Sequence, residues 1–386
     1  MVIKNKKIAI IGGGPGGLTL ARLLQQKGAD VTVHERDAGR FVRVQGATLD
    51  LHDDSGLKAL NEAGLIEEFK KYYRPGADKT RITDKYRNIL YDQHEEHEEA
   101  VGFGHEHFRP EIDRGPLRDL LLDSLQPETV VWDSHITSLE KEEGKWQLVF
   151  QNGRKETADL VIGADGANSK IRPYLTPIKP FYSGITVVEG SIYNAAEKAP
   201  SIYELVKEGK VFAFGDQKSL IVSAKGDGSL SFYTGCRAEE SWMHDSGIDF
   251  KDNKSVAAWF RTEFSDWDEI WQELFATEGT SFAPRPQYCM PLDQTWEACA
   301  DMTLLGDAAH LMPPYAGEGV NMAMLDALEL SNCLTGTDFP DIKEAIAYYE
   351  NQMRARASET AKMTLEQTEA LHSENAISHM LELFTE

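Results

Sequence analysis

The spacing of apolar residues along this 386-residue chain changes period several times, and each change marks an element. Ile8-Ala9-Ile10-Ile11, after Lys7, is a short unbroken apolar run, as in a strand buried on both faces of a parallel sheet. From Leu18 to Lys27 apolar positions recur at helical spacing, and Gly28 ends the segment as a helix-terminating glycine does. Val31 to His34 reads as the next strand, which completes a βαβ opening of Rossmann type. From about Tyr72, short alternating runs with turn residues such as Pro75-Gly76 predict an antiparallel excursion as far as Gly102. Pro110 to Leu125 reads as a helix, Thr129 to Phe150 as a meander of short strands, and Asp159 to Ile162 as a return to a buried parallel strand. Between Pro173 and Pro286, alternating segments such as Leu220 to Ala224 and Leu230 to Thr234 predict a second, largely antiparallel sheet. A helical, aromatic-rich insert from Ala257 to Phe275 interrupts it. After Tyr288 the chain rejoins the first domain, and Ile342 to Phe384 is almost wholly helical, acidic on one side and rich in Leu, Met and Ala on the other.

The fold class that follows is α/β, a Rossmann-type dinucleotide-binding domain interleaved with a mainly antiparallel β-sheet substrate domain, plus a long C-terminal helix. The expected parts of the first domain are 1–71, 103–172 and 287–340. Those of the second are 72–102 and 173–286, and 341–386 forms a helical segment bridging the two. A net charge of −23 argues against nucleic acid and anionic membrane surfaces, both of which need a basic footprint. No apolar run approaches the ~20 residues of a membrane span, and Ile8-Ala9-Ile10-Ile11 meets glycine too soon for a signal-peptide core. Cys236, Cys289, Cys299 and Cys333 show no CxxC spacing, which suits idle thiols in a reducing cytoplasm and not a zinc site. A cytoplasmic monomer is the expected form.

Two motifs frame the chemistry and a third completes it. Gly12-Gly13-Gly14-Pro15-Gly16-Gly17 is a GxGxxG between a strand and a helix. Missing side chains at Gly12, Gly14 and Gly17 let backbone approach a pyrophosphate, and the helix N-terminus offers free N–H groups. Glu35, followed by Arg36, ends the second strand, where a carboxylate accepts from a ribose 2′-hydroxyl and repels a 2′-phosphate. Gly163-Ala164-Asp165-Gly166-Ala167-Asn168-Ser169-Lys170-Ile171-Arg172 carries a second strand end, which alone could be an ordinary cap. Gly306-Asp307-Ala308-Ala309-His310-Leu311-Met312-Pro313-Pro314-Tyr315-Ala316-Gly317-Glu318-Gly319-Val320-Asn321 places an Asp at a third strand's C-terminal end. Its prolines stiffen the loop, its glycines admit a flat ligand, and the helix after Gly319 points its positive end at whatever the loop holds.

These three motifs, in this order and at these separations, resemble the group A flavoprotein monooxygenases, the para-hydroxybenzoate-hydroxylase-like enzymes, over nearly the whole chain. The resemblance implies non-covalent FAD, NADPH or NADH as a transient reductant, O2 as co-substrate, and oxygen transfer through a flavin hydroperoxide. It implies that Asp307 bonds the flavin ribityl chain and that the helix beginning Gly319-Val320-Asn321 faces the pyrimidine end of the ring, favouring the reduced anion. Asp165 belongs to the same cofactor-binding set. Within that family the chain is most similar to tetracycline-inactivating (TetX-like) monooxygenases, through Gly46-Ala47-Thr48-Leu49-Asp50-Leu51-His52, Pro110-Glu111-Ile112-Asp113-Arg114, Glu263-Phe264-Ser265-Asp266-Trp267-Asp268-Glu269 and the Gly306–Asn321 loop. By that likeness Arg43 helps receive the nicotinamide, Asp50, Arg114 and Asp307 contact FAD, and Pro314 and Gly317 line the cavity by the flavin. Glu189, Val211 and Ser231 stand where the tetracycline enzymes present a glutamine, an arginine and a histidine to the drug. Three changed readers alter ligand choice.

Other features have a plainer reading. Asp92-Gln93-His94-Glu95-Glu96-His97-Glu98-Glu99, with His105 and His107, has metal-ligand composition but sits in a polar excursion, where a solvated loop is expected and no metal. His310 reads as a structural hydrogen-bonding group, and Trp242, Trp259, Trp267 and Trp271 as packing or a substrate wall. The flavin, and no side chain, carries the catalysis. The sequence thus points to an FAD-dependent monooxygenase hydroxylating an aromatic or polyketide-like molecule, with tetracyclines as a candidate group. The alternatives are a flavin dehydrogenase or reductase that inserts no oxygen, and a non-catalytic flavoprotein that sequesters a ligand.

Overall fold

The computed structural model describes residues 1–42, 48–95, 102–105, 107–277 and 279–385. Arg43, Gly46, Ala47, Glu96, His97, Glu98 and Glu99 lie outside them. A parallel sheet of five strands forms the first half, in the order β17 (Met302–Leu304), β11 (Leu160–Gly163), β1 (Lys7–Ile11), β2 (Asp30–His34), β7 (Val130–Val131). Ile11 pairs with both His34 and Gly163, and Gly163 with Leu304. In a parallel sheet this register carries Gly12, Glu35, Asp165 and Asp307 off the same edge, the carboxyl edge where α/β sheets bind ligands. Helix α1 (Pro15–Gln26) and a later helix, α6 (Gly319–Thr335), pack against each other on this sheet. A small antiparallel meander, β8 (Ile136–Glu142), β9 (Lys145–Phe150) and β10 (Lys155–Ala158), lies beside it.

The expected helix from Pro110 begins later. Glu111–Ile112 is a short strand, β6, paired with β3 (Leu49–Asp50), and helix α2 runs only from Arg114 to Asp123. Asp113, extended at φ −67° and ψ 143°, is the turning point.

The second half is a seven-stranded sheet in the order β16 (Ser281–Cys289), β12 (Phe181–Ile192), β15 (Leu230–Arg237), β14 (Lys218–Ala224), β13 (Lys210–Gly215), β4 (Thr80–Asp84), β5 (Ile89–Asp92). It is antiparallel except for β13 against β4. Alternation gives it two unlike faces. Val211, Ala213, Leu220, Val222 and Phe232 are buried beneath α3 (Pro200–Val206), α4 (Asn253–Glu263) and α5 (Glu273–Ala276), with Phe260, Trp267, Trp271 and Phe275 filling that layer. The opposite face carries Phe212, Phe214 and Ile82, packed against the C-terminal helices, and then Lys210, Ser219, Ser231, Tyr233 and Glu189.

The C-terminal segment is two helices, α7 (Ile342–Leu371) and α8 (Ala376–Thr385), not one. The break falls at His372, whose backbone leaves the helical region and whose ring Nδ1 lies 2.7 Å from the carbonyl of Thr368. Helix α8 packs on β4 and β13, and α7 on α6 and on the 3₁₀ turn Pro314–Ala316.

The two halves are joined by buried charge. Lys210 Nζ donates to the carboxylate of Glu111, which is 1% exposed. Burial pushes Glu111 up, while Lys210 draws it down. Replacing Lys210 by Met strands a buried carboxylate and is expected to cost about 3–5 kcal/mol. The double replacement Lys210→Met with Glu111→Leu is expected to recover most of it. Denaturant unfolding of the two variants checks this.

Candidate active site

The glycine loop is shaped by contacts that permit no side chain at its first position. Gly12 has φ +115°, and a Cβ there would stand 2.2 Å from the carbonyl oxygen of Ala164, in the second motif. The same interlock is seen in hydrogen bonds: Gly12 N donates to His34 O at 2.9 Å and Ala164 N to Ile11 O at 2.8 Å. At Gly14 the surroundings open, with no atom within 4 Å of a Cβ position, and no side chain caps the N-terminus of α1. A backbone cradle open on one side, ahead of an uncapped helix of twelve residues, is the donor arrangement a pyrophosphate needs.

Glu35 is held beneath that cradle. Its Oε2 accepts from Gly13 N at 2.7 Å and its Oε1 from Asp37 N at 3.0 Å. Arg118, from α2, lies against it: Nη2 is 3.1 Å from Asp37 and 3.9 Å from Glu35, and Nε donates to Gly13 O at 3.4 Å. Arg118 is buried and drew no notice in the sequence, where it looks like one more charged residue on an amphipathic helix. Arg36 is exposed on the same rim.

In the second motif, the Asp165 carboxylate turns back on its own loop. It accepts from Ser169 Oγ and from Lys170 N, each at 2.6 Å. The cap reading of that aspartate is what its hydrogen bonds express. Arg172, beyond it, reaches into the third motif, donating from Nε to Ala308 O and from Nη2 to Asp307 O, both at 2.7 Å.

The third motif is fixed from below as well. Asp326 of α6, fully buried, accepts from Gly306 N at 2.9 Å, from His310 Nε2 at 2.6 Å and from Arg356 Nη2 at 2.8 Å. Burial would push Asp326 up, but His310 and Arg356 hold it below the ordinary carboxylate range. Burial would push His310 down, but Asp326 carries it above the ordinary imidazole range. Asp307 itself points the other way. It is open to solvent, yet so much protein surrounds it that desolvation raises its carboxyl against the pull of His310, Arg114 and Arg172. It stands at the carboxyl edge of the parallel sheet, in the recess between that edge and the seven-stranded sheet's inner face, with Arg114 close enough to be felt.

Asn321, one turn into α6, pins the neighbouring strand. Its Oδ1 accepts from His52 N and its Nδ2 donates to Asp50 O, each at 3.0 Å. The Asp50 carboxylate lies 3.0 Å from His52 Nε2, and a Cβ on Gly317 would be 3.4 Å from it. Burial would raise Asp50, but His52 and Lys210 keep it ionised. Gly319 and Val320 start α6 at the rim, with no side-chain cap and no atom within 4 Å of a Cβ on Gly319. Pro314 and Gly317 flank Tyr315, which crosses to the seven-stranded sheet. The residues therefore fit FAD: a phosphate cradle, a carboxylate under the ribose end, and Asp50, Arg114 and Asp307 around the recess. They would hold it from the glycine loop to the start of α6.

Of the three sheet residues expected at the substrate, two share the face toward this recess. Glu189 is ion-paired with Arg285 on β16, and the buried Ser231 Oγ has no partner among the described residues. Val211 does not share it: it is fully buried beneath α3 and α4, and the strand presents Lys210 and Phe212 instead. A shift of one position along a strand changes the face. Among the described residues, no group of three His, Cys, Asp or Glu could hold a metal, and no helix is long and apolar enough to cross a membrane.

The sequence pattern described as FAD binding domain matches residues 5–360. The monooxygenase penA of Penicillium thymicola is 29% identical over 425 residues, covering 96% of this chain and 96% of its own. The 3-amino-4-hydroxybenzoate 2-monooxygenase PtnB3 of Streptomyces platensis is 30% identical, covering 95% of this chain and 88% of its own. Among solved structures, the tetracycline destructase Tet(55) superposes with a TM-score of 0.77 over 99% of this chain and 96% of that one, at 20% identity. That last likeness is one of fold.

The His310–Asp326 pair sets a pH dependence. A histidine whose folded pKa is raised contributes stability fully below its unfolded value and loses it as pH rises through the folded value. The melting temperature is expected to fall as pH climbs from the ordinary imidazole range into mild alkali. His310→Leu is expected to flatten that slope and to cost about 3 kcal/mol at neutral pH. Thermal melts of both proteins across that range test it.

Proposed function

This chain belongs to the FAD binding domain family, and from that premise we propose that it hydroxylates an aromatic or polyketide-like small molecule. It is an FAD-dependent monooxygenase, of a family whose usual reductant is NAD(P)H. The balanced reaction consumes NAD(P)H, a proton and O2, and yields NAD(P)⁺, water and a substrate in which one C–H has become C–OH. Bound flavin supplies the redox chemistry, taking hydride from the nicotinamide and activating oxygen.

The chain's own residues bind, orient and exclude water. Gly12, Gly14 and Gly17 receive the pyrophosphate, and Glu35 and Arg36 the adenosine end. Asp50, Arg114 and Asp307 hold the ribityl and ring end. Asp165 supports the loop beneath. The start of α6, at Gly319, Val320 and Asn321, would offer its positive end to FAD, stabilising the negative charge that reduction adds. Arg43 is assigned to the nicotinamide by resemblance alone. The substrate is held between Pro314 and Gly317 on one side and Glu189 on the other, with Ser231 fully buried behind that surface.

One observation carries this reading: the sheet face turned to the Gly306–Asn321 loop sets Glu189, Tyr233 and Ser219 beside Phe212 and Phe214, while its reverse is a packed apolar core. Glu189 and Tyr233 on that face are only half-buried, while Lys210 there serves the tie to Glu111. Such a surface offers hydrogen bonds to a flat, oxygenated ligand. The fold likeness to a tetracycline destructase supports tetracyclines as the first group to try, while the changed readers favour a different oxygenated ring system.

NAD(P)H oxidation by the FAD-loaded protein, with and without a tetracycline, tests the reading. Faster oxidation and a product heavier by one oxygen atom support both class and drug. Hydrogen peroxide without modified drug rejects tetracycline as a productive substrate. A product oxidised without added oxygen would return the dehydrogenase alternative.

A further inference from the structure

Tyr315, Ser219 and His372 come from distant parts of the chain and meet over Gly235. That glycine has to lack a side chain, since a Cβ there would stand 2.2 Å from His372 Nε2, 2.5 Å from Ser219 Oγ and 2.6 Å from Tyr315 Oη. Ser219 Oγ lies 3.1 Å and Tyr315 Oη 3.3 Å from the same His372 Nε2. On the ring's other side, Nδ1 is 2.7 Å from Thr368 O.

Counting hydrogens fixes the polarity of this cluster. A carbonyl only accepts, so Nδ1 carries the imidazole hydrogen and Nε2 is a bare acceptor. The ring is neutral, because burial pushes its pKa down to about 4. One lone pair then faces two hydroxyl hydrogens. Whichever hydroxyl takes it, the other is turned to its neighbour's oxygen, since Ser219 Oγ and Tyr315 Oη converge on the same point over Gly235 and Ser219 acts on the Tyr315 hydroxyl as a hydrogen-bond partner. Both hydrogens are spent inside the cluster. Ser219 and His372 are fully buried, while Tyr315 is half-buried in the loop that faces the sheet. A molecule beside it therefore meets the lone-pair side of Tyr315 Oη.

We propose that Tyr315 Oη is a hydrogen-bond acceptor for the substrate, kept acceptor-only by Ser219 and His372, and that the substrate presents an O–H or N–H to it. The inference rests on the site assigned under the proposed function. It narrows the aromatic or polyketide-like class to members with a free phenol, enol or amine hydrogen. His372 acts through Tyr315 and is a positioning residue. A methyl ether in the same place sets lone pair against lone pair, leaving a desolvated acceptor unsatisfied.

The FAD-loaded protein is titrated with 2-naphthol and with its methyl ether, 2-methoxynaphthalene, following the flavin's visible spectrum. Binding of 2-naphthol is expected to be about tenfold tighter. Tyr315→Phe is expected to bring the two within about twofold, with the ether's affinity and the flavin content unchanged. His372→Phe, which frees a hydroxyl hydrogen, is expected to strengthen ether binding. Independently of any ligand, ¹⁵N-histidine spectra should show His372 as the Nδ1–H tautomer, assigned by its loss in His372→Gln. Equal affinity for the two probes, no response to either, selectivity that survives Tyr315→Phe, or an Nε2–H tautomer overturns the inference. Failure to insert oxygen into any aromatic would count against the proposed function instead, and would leave the binding ratio and the tautomer as they stand.

Discussion

A single buried carboxylate, Asp326, holds the loop on which the site depends. It accepts from Gly306 N, His310 Nε2 and Arg356 at once, and from the opposite side Arg172 takes the carbonyls of Asp307 and Ala308. Stripping water from ions costs several kcal/mol each, and pairing repays that only when geometry is complete. Here all three donors reach Asp326, while His310 Nδ1 and Arg356 Nε find no partner among the described residues, so the loop is held chiefly where it meets α6. The group left out of these bonds is the Asp307 carboxylate, which the rest therefore aims into the recess. Rigidity on one side and an open acid on the other come from the same set of bonds.

A second chain of charge couples that loop to the sheet across from it. Lys210 on β13 meets Glu111 on β6, and its field also reaches Asp50 on β3. Asp50 meets His52, and Asn321 ties both to the start of α6. Two carboxylates share one lysine, and they settle differently. Asp50, with His52 as a further partner, is ionised, and Glu111, buried beside that negative charge, is raised. A movement of the sheet relative to the parallel half would separate ions in a desolvated place. A change in the gap between them is thereby resisted by electrostatics as well as by packing.

Much of this was legible in the chain because its signals are local. The strand, glycine loop, helix, strand and acid from Lys7 to Glu35 lie within thirty residues, and each predicts the next. A structural His310 follows from a chemistry that needs no protein base, and the structure pairs that ring with Asp326. What stayed hidden depends on partners far along the chain. Arg118 and Arg172 bond main-chain groups 105 and 136 positions away, and nothing in their neighbours distinguishes them from solvated arginines. The break between α7 and α8 was equally silent, since it hangs on a side chain folding back on its own helix.

Val211 is the instructive failure. In Lys210–Gly215 the sequence Lys-Val-Phe-Ala-Phe-Gly is apolar on both sides because one face meets a helical layer and the other meets the C-terminal helices and the recess. Polar alternation, the usual guide to which side faces out, is absent, so alignment by one position decides everything. The physical consequence runs beyond this strand. Residues on the helix-covered face are locked by close packing, where a change of one methylene is felt. Those on the opposite face meet polar partners, as Lys210 meets Glu111 and Glu189 meets Arg285. Val211, Leu220, Val222 and Phe232 keep the fold by packing, while Lys210 adds the charge that ties the sheet to β6. That division leaves the architecture, which the chain shares with a tetracycline destructase, resting on the packed face.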